Sequence, residues 1–180
     1  TIASTQLGNL VDTGADEDLS FALNGAVAGS GAGVSSQGED VVFFLGSDGS
    51  IEGKADADAD GSVVAGDRTV FTLEPAGNGD FTFTLQDQLD HQGNGDDETL
   101  SLNLAPAFTA TDADGDSVVL AGSLTIDVEN DVPVVTEGSE AAGSVREDEL
   151  PEGNPGSSGQ PSTTIASTQL GNLVDTGADE

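Results

Sequence analysis

The string TIASTQLGNLVDTGADE fills residues 1–17 and returns without a single change at residues 164–180. Identity over that length is far beyond chance, and self-similarity at a fixed interval marks an array. The interval decides which kind. Repeats of about 20–50 residues stack into solenoids whose units cannot fold alone. Here the string restarts only at position 164, so the period has the size of an independent domain. The expectation is a tandem of self-contained beads, of which this chain holds one period and the start of another.

A bead boundary is expected at DVENDVPVV, residues 127–135, where the strand-like SLTIDV runs into an acidic turn and then Pro133. On that reading residues 1–131 form most of one bead, and residues 132–180 form the boundary and opening segment of the next. A second, looser stretch, PEGNPGSSGQPSTT at 151–164, is rich in Pro, Gly and Ser and fits either an ordered loop or a tether.

Within the bead the apolar residues alternate. TVFTLEPAGNGDFTFTLQ, residues 69–86, puts Phe71 and Leu73 on one side of one run and Phe81, Phe83 and Leu85 on one side of the next, with turn residues Pro75 to Gly79 between. That is a hairpin with one buried face. Further β-rich runs lie at 18–23, 41–45, 98–104, 117–120 and 123–128. No 12-residue window carries a 3.6-residue period, and the many glycines would each cost a helix about 1 kcal/mol. The expected fold is all-β, an antiparallel immunoglobulin-like β-sandwich, with a closed barrel as the alternative. With no Trp or Tyr, the core has to come from small aliphatics and Phe residues such as Phe71, Phe81 and Phe83.

Charge sets the second constraint. The chain has 34 Asp and Glu against three basic residues, Lys54, Arg68 and Arg146, for a formal net charge of -31. A compact body with that charge repels itself and stays soluble, and it makes a poor partner for nucleic acid or an anionic membrane. Composition alone also permits a disordered acidic calcium buffer, which the alternating strands argue against. With no Cys, disulfides and thiolate metal sites are excluded, so a hard cation held by oxygens is the available cross-link. No apolar stretch reaches the length of a membrane helix, and no charged-then-apolar leader opens the sequence, which reads as a piece of a longer chain.

Three acidic clusters have the spacing such cations need. Asp56, Asp58 and Asp60 sit in DADADGS, and Asp112, Asp114 and Asp116 sit in DADGDS. Alternate carboxylates with a glycine nearby let a tight loop aim several oxygens at one centre, as at the start of an EF-hand loop. Neither is a complete EF-hand, because the position for the bidentate Glu holds Asp67 in one and Ser123 in the other. Solvated Asp-Gly turns are the plain alternative. The third cluster, Asp127, Glu129, Asn130 and Asp131, lies at the expected bead joint, with Glu147, Asp148 and Glu149 of REDELPEG as candidates for its other half. An acidic linker extended by self-repulsion is the alternative there. Catalysis is not expected. His91 is the sole histidine, and no Cys nucleophile, G-x-S-x-G elbow or phosphate-cradling loop is present.

Taken together, FTLEPAGNGDFTFTLQDQLDH (71–91), ETLSLNLAPAFTATDADGDSV (98–118) and SLTIDVENDVP (123–133) resemble the extender repeats of giant RTX adhesins exported by type I secretion, and REDELP (146–151) resembles their opening motif. The resemblance implies an immunoglobulin-like sandwich repeated many times and binding Ca2+ within and between domains. It also implies an extracellular, outer-membrane-tethered chain that projects terminal ligand-binding domains in attachment and biofilm formation. Its partners would be neighbouring repeats of the same chain, with no nucleic acid and no direct membrane insertion. DVENDVP is also similar to the calcium-binding linker of cadherins, which points to Asp127, Asn130 and Asp131 as joint ligands. The Gly-rich nonapeptides of the RTX β-roll are missing, and residues 24–40 fit no part of the family pattern. The competing expectation is a ligand-binding adhesin module for sugar, protein or ice.

Overall fold

The computed structural model describes residues 1–12, 18–93, 98–153 and 162–177. The chain divides into two compact units, Thr1–Asn130 and Asp131–Glu180.

The described residues of the first unit form one short helix, α1 (Ser4–Gly8), and ten strands: β1 (Ser20–Leu23), β2 (Gly31–Ser36), β3 (Glu39–Leu45), β4 (Ile51–Ala55), β5 (Thr69–Gly77), β6 (Asp80–Leu85), β7 (Thr99–Asn103), β8 (Phe108–Thr111), β9 (Ser117–Val119) and β10 (Thr125–Glu129). Strands β2 to β6 make a five-stranded antiparallel meander. Opposite it stand the antiparallel sheet β1-β8-β9 and the antiparallel pair β7-β10. One apolar cluster joins the layers, drawing Phe43, Ile51 and Phe71 from the meander and Leu102, Phe108 and Ala110 from the other side. This is the all-β, antiparallel sandwich that the alternation predicts.

Phenylalanine holds the layers in register. Phe71 is fully buried and meets Phe43 edge-on, with ring centroids 6.0 Å apart. Phe81 meets Phe108 edge-on at 4.9 Å, a geometry that places ring edges against ring faces across the core. Phe71 lies opposite Gly53 on β4, and a Cβ at Gly53 would collide with its ring. The glycine is therefore a packing requirement, since only a bare backbone lets the ring lie across the strand.

The hairpin expected over 69–86 is present, with one adjustment. The turn is tighter than Pro75 to Gly79, because β5 continues through Pro75 to Gly77 and bulges there. The reversal is Asn78-Gly79, with φ of 55° and 78°. Two successive positive φ values match the twist of paired strands, which is why Asn-Gly is favoured at such turns. Pro75 is tolerated because β4 pairs β5 only as far as Leu73.

Residues 24–40 now have a place. Asn24 caps a single 3-10 turn at Gly25–Val27, and β2 then forms the edge of the meander, with an irregularity between Gly31 and Ser35. In the second unit the described residues form β11 (Val134–Val135), α2 (Ser167–Gly171) and β12 (Val174–Asp175), and β11 pairs antiparallel with β12. The Pro- and Gly-rich stretch at 151–164 falls largely outside the described residues.

Candidate metal centre

Two of the three acidic clusters come together. In each of Asp56-Asp58-Asp60 and Asp112-Asp114-Asp116, one carboxylate oxygen per residue lies within 4.8 Å of the others. They differ in what surrounds them.

The first cluster opens the loop that leaves β4. Strand β4 ends against β3, where the Asp56 N–H donates to the Asp40 carbonyl at 2.9 Å. The chain then curls around the Asp56 side chain: Gly61 N–H donates to Asp56 Oδ2 at 2.8 Å, and Ala59 takes a φ of 56°. A non-glycine residue in that region costs about 1–2 kcal/mol, so the curl is maintained by the contacts it makes. Asp56 is only 5% exposed, and its Oδ1 is closed off from solvent without a hydrogen-bond donor. A buried carboxylate oxygen left in this way costs roughly 1–3 kcal/mol or more. Asp58 stands beside it with its pKa raised, first by a hydrogen bond to Asp56 and then by the charge of Asp60. Asp60 is turned toward Ser62, whose hydroxyl and N–H both donate to Asp60 Oδ1 and hold its pKa low. The arrangement is three converging carboxylates, one of them buried, that could hold a cation. Its donors are all hard oxygens, the set that suits Ca2+.

The second cluster is the tip of the β8–β9 hairpin, closed by the Asp112 N–H donating to the Asp116 carbonyl at 3.0 Å. Here Asp112 Oδ1 accepts the N–H groups of Gly115 and Asp116, at 3.0 and 2.9 Å. The Asp112 pKa is lowered, first by a hydrogen bond with Asp114 and then by those backbone donors. Asp114 and Asp116 are exposed. This triplet is an internally satisfied Asp turn, and it has no orphaned oxygen to match Asp56 Oδ1.

The joint cluster is built differently from the expected turn. Strand β10 continues to Glu129, so Asp127 and Glu129 lie on a regular strand and face outward, while Ile126 and Val128 pack on the core. The Asp127 carboxylate already accepts the Ser101 hydroxyl across the β7–β10 ladder. Only Asn130 and Asp131 lie past the strand, at the end of the first unit and the start of the second. In the second unit Glu147, Asp148 and Glu149 form a single 3-10 turn, with Arg146 paired to Asp148 at 3.3 Å. Among the described residues, the carboxylate groupings that come together are the two triplets of the first unit.

Two basic residues do what the sequence pattern did not announce. Lys54 is 2% exposed, and its Nζ lies 3.0 Å from Glu52 Oε2 while donating to the Asp67 carbonyl and Thr69 Oγ1. It thereby ties down the far end of the loop whose near end carries Asp56. Arg68 bridges Glu39 and Asp87, at 2.9 and 2.6 Å, and donates to the buried Ser36. In a chain with so few bases, each base was a signal that an internal ion pair was needed. His91 sets its ring nitrogens 3.1 Å from the carbonyls of Leu89 and Val128, a structural bridge between a loop and β10.

Comparison with known proteins adds one finding. No curated protein and no solved structure matches the chain. A protein-family model described as "Domain of unknown function (DUF5801)" matches residues 3–126, the greater part of the chain and nearly all of the sandwich, so this chain belongs to the DUF5801 family.

Proposed function

We propose that the chain is a non-enzymatic, calcium-stabilised spacer repeat of a large secreted bacterial surface adhesin, tethered at the outer membrane and holding terminal ligand-binding domains away from the cell. The observation that carries the reading is Asp56 Oδ1: a buried carboxylate oxygen without a donor, inside a triplet of converging carboxylates, in a chain of net charge -31. A cation there would satisfy that oxygen, remove the repulsion among the three Asp residues, and fix the loop that leaves the meander. A ligand that binds only the folded state stabilises it by mass action. Export gives this coupling a purpose, because a chain that folds only where calcium is plentiful stays unfolded and exportable in a low-calcium cytoplasm. The exact recurrence at 1–17 and 164–180 supports the spacer over a receptor-binding module, since spacing is served by identical copies.

The test is thermal unfolding followed by circular dichroism, first in calcium and then in excess chelator. The expected outcome is a β-rich spectrum whose melting point rises steeply with calcium. A melting point indifferent to calcium would leave the triplets as solvated turns and remove the physical basis of the reading.

A further inference from the structure

Lys54 is buried on the face of its strand that should be exposed. In β4, Gly53 sits under the Phe71 ring and Ala55 belongs to the core, so alternation sends Glu52 and Lys54 to the outer face of the meander. Lys54 is nevertheless 2% exposed, and Val42, its partner across the β3–β4 ladder, is 5% exposed although it lies outside the core cluster. Something covers that face, and the hydrogen bonds identify it. Lys54 Nζ donates to the Asp67 carbonyl and to Thr69 Oγ1, at 3.0 and 2.9 Å, with the Ala65 carbonyl at 3.4 Å. Residues 56–68 therefore run back over the sheet as a strap. Its first half is the acidic turn in which Gly61 N–H donates to Asp56 Oδ2, and its second half is a turn in which Val64 N–H donates to Asp67 Oδ2 at 2.7 Å. Lys54 grips the second turn, and Glu52 Oε2, 3.0 Å from Nζ, balances its charge.

We propose that Lys54 is the positioning residue of the Asp56 calcium centre: its buried ammonium holds the strap down in the conformation in which Asp56, Asp58 and Asp60 converge. The inference rests on the calcium reading and gives that site a determinant that touches no ion. Three like charges on one short turn repel, so the turn stays compact only if the rest of the strap is fastened elsewhere. An ammonium suits the task, because it offers three donors to the three nearest acceptors, and the Phe44 ring lies 5.4 Å from it. With Glu52 beside it, the grip adds no net charge and can coexist with a divalent cation in the acidic turn. Residues behind the ligands that fix their orientation set metal affinity nearly as strongly as the ligands do. Linkage makes the effect reciprocal: an ion that binds the closed strap favours closure and keeps Lys54 covered.

The experiment compares the full chain with Lys54→Met by calcium calorimetry, by melting in chelator and by trypsin cleavage. Methionine keeps an apolar stem and removes the donors. Calcium affinity is expected to fall about 10- to 100-fold, as when a residue behind metal ligands is lost. A merely structural lysine would lower the melt in chelator and leave the calcium affinity of the folded chain unchanged. Trypsin reads the strap in the parent, whether or not the variant folds. The only bases are Lys54, Arg68 and Arg146, so two of the three cleavage points flank the strap, and Arg146, with a side chain 53% exposed, is an internal control. In chelator, cuts after Lys54 and Arg68 should begin below the melting point. Calcium at about ten times its Kd should slow both about tenfold by depleting the open form, while the cut after Arg146 keeps its rate. Equal affinity in the two chains, or cuts that appear only as the β-rich spectrum is lost, would overturn this inference and leave the calcium reading standing. A parent that takes up no calcium overturns both.

Discussion

Asp56 and Asp112 open nearly the same string of residues and end in different electrostatic states. Asp112 has its pKa lowered, first by a hydrogen bond with Asp114 and then by backbone donors, whereas Asp56 keeps one buried oxygen orphaned and Asp58 beside it has its pKa raised, first by a hydrogen bond with Asp56 and then by the charge of Asp60. The sign of the pH effect follows. A carboxyl whose pKa is raised on folding contributes stability that is fully present below its unfolded value, near about 3.9, and is lost as pH rises through the higher folded value. Above that window the ionised triplet works against the fold until a cation takes the place of the proton. Asp58→Asn removes one of the three charges and keeps a hydrogen-bonding group next to Asp56. It should therefore raise the melting point in chelator at pH 7 while weakening calcium binding by about tenfold, since ligand charge tunes such sites. Melting curves and calcium titrations at pH 5 and 7 check both halves. A variant that binds calcium as the parent does would place the ion elsewhere. Sequence spacing identified this triplet and the one at 112–116 alike. It could not rank them, because the ranking depends on the burial of Asp56, which comes from how β4 ends against β3.

Strand β4 shows why some elements were legible and others were not. IEGKA alternates Ile51, Gly53 and Ala55 with Glu52 and Lys54, but it carries only one large apolar residue, because Gly53 lies under the Phe71 ring and the buried Lys54 turns its charge to Glu52 and the Ala65 and Asp67 carbonyls. The identity of each position is set by a partner on another strand. Strand β2, GAGVSS, is hidden for a related reason: it is an edge strand held by backbone pairing to β3, so its small residues show no pattern. Helix α1 is too short to display a 3.6-residue period, and it is held by the burial of Leu7. By contrast β3, β5, β6, β7 and β10 announce themselves through inward Phe, Leu, Ile and Val. The sequence places a turn at the acidic run before Pro133, yet the outward face of the β7–β10 ladder accommodates Asp127 and Glu129 equally well. The packing argument at β4 is testable by Gly53→Ala. The added methyl has to displace Phe71, which also contacts Phe43 and Phe83, so the variant should lose about 2 kcal/mol of stability in urea unfolding. A change within a few tenths would mean the ring moves freely and the core is looser than its aromatic contacts imply.

The period and the charge are properties of the whole chain, and both were plain in the sequence; the way charge acts on folding is less so. A net charge of -31 opposes compaction through the summed field, and any salt relieves that by screening, over a Debye length of about 10 Å at 0.1 M. Coordination at the Asp56 triplet is a separate effect, confined to a few oxygens and selective for the ion that fits them. The two can be separated by melting the chain in sodium chloride, magnesium chloride and calcium chloride at matched ionic strength. General repulsion predicts a modest rise with sodium chloride. Coordination predicts that calcium at about 1 mM, a concentration typical of extracellular modules, adds a much larger rise that magnesium does not reproduce, because Mg2+ demands a tighter octahedral shell and gives up its water reluctantly. If the three salts act alike, the carboxylates serve only to keep the chain soluble, and its fold must tolerate their repulsion through the Phe-centred core alone. If calcium stands apart, the charge that resists folding in its absence is what makes folding conditional on reaching calcium.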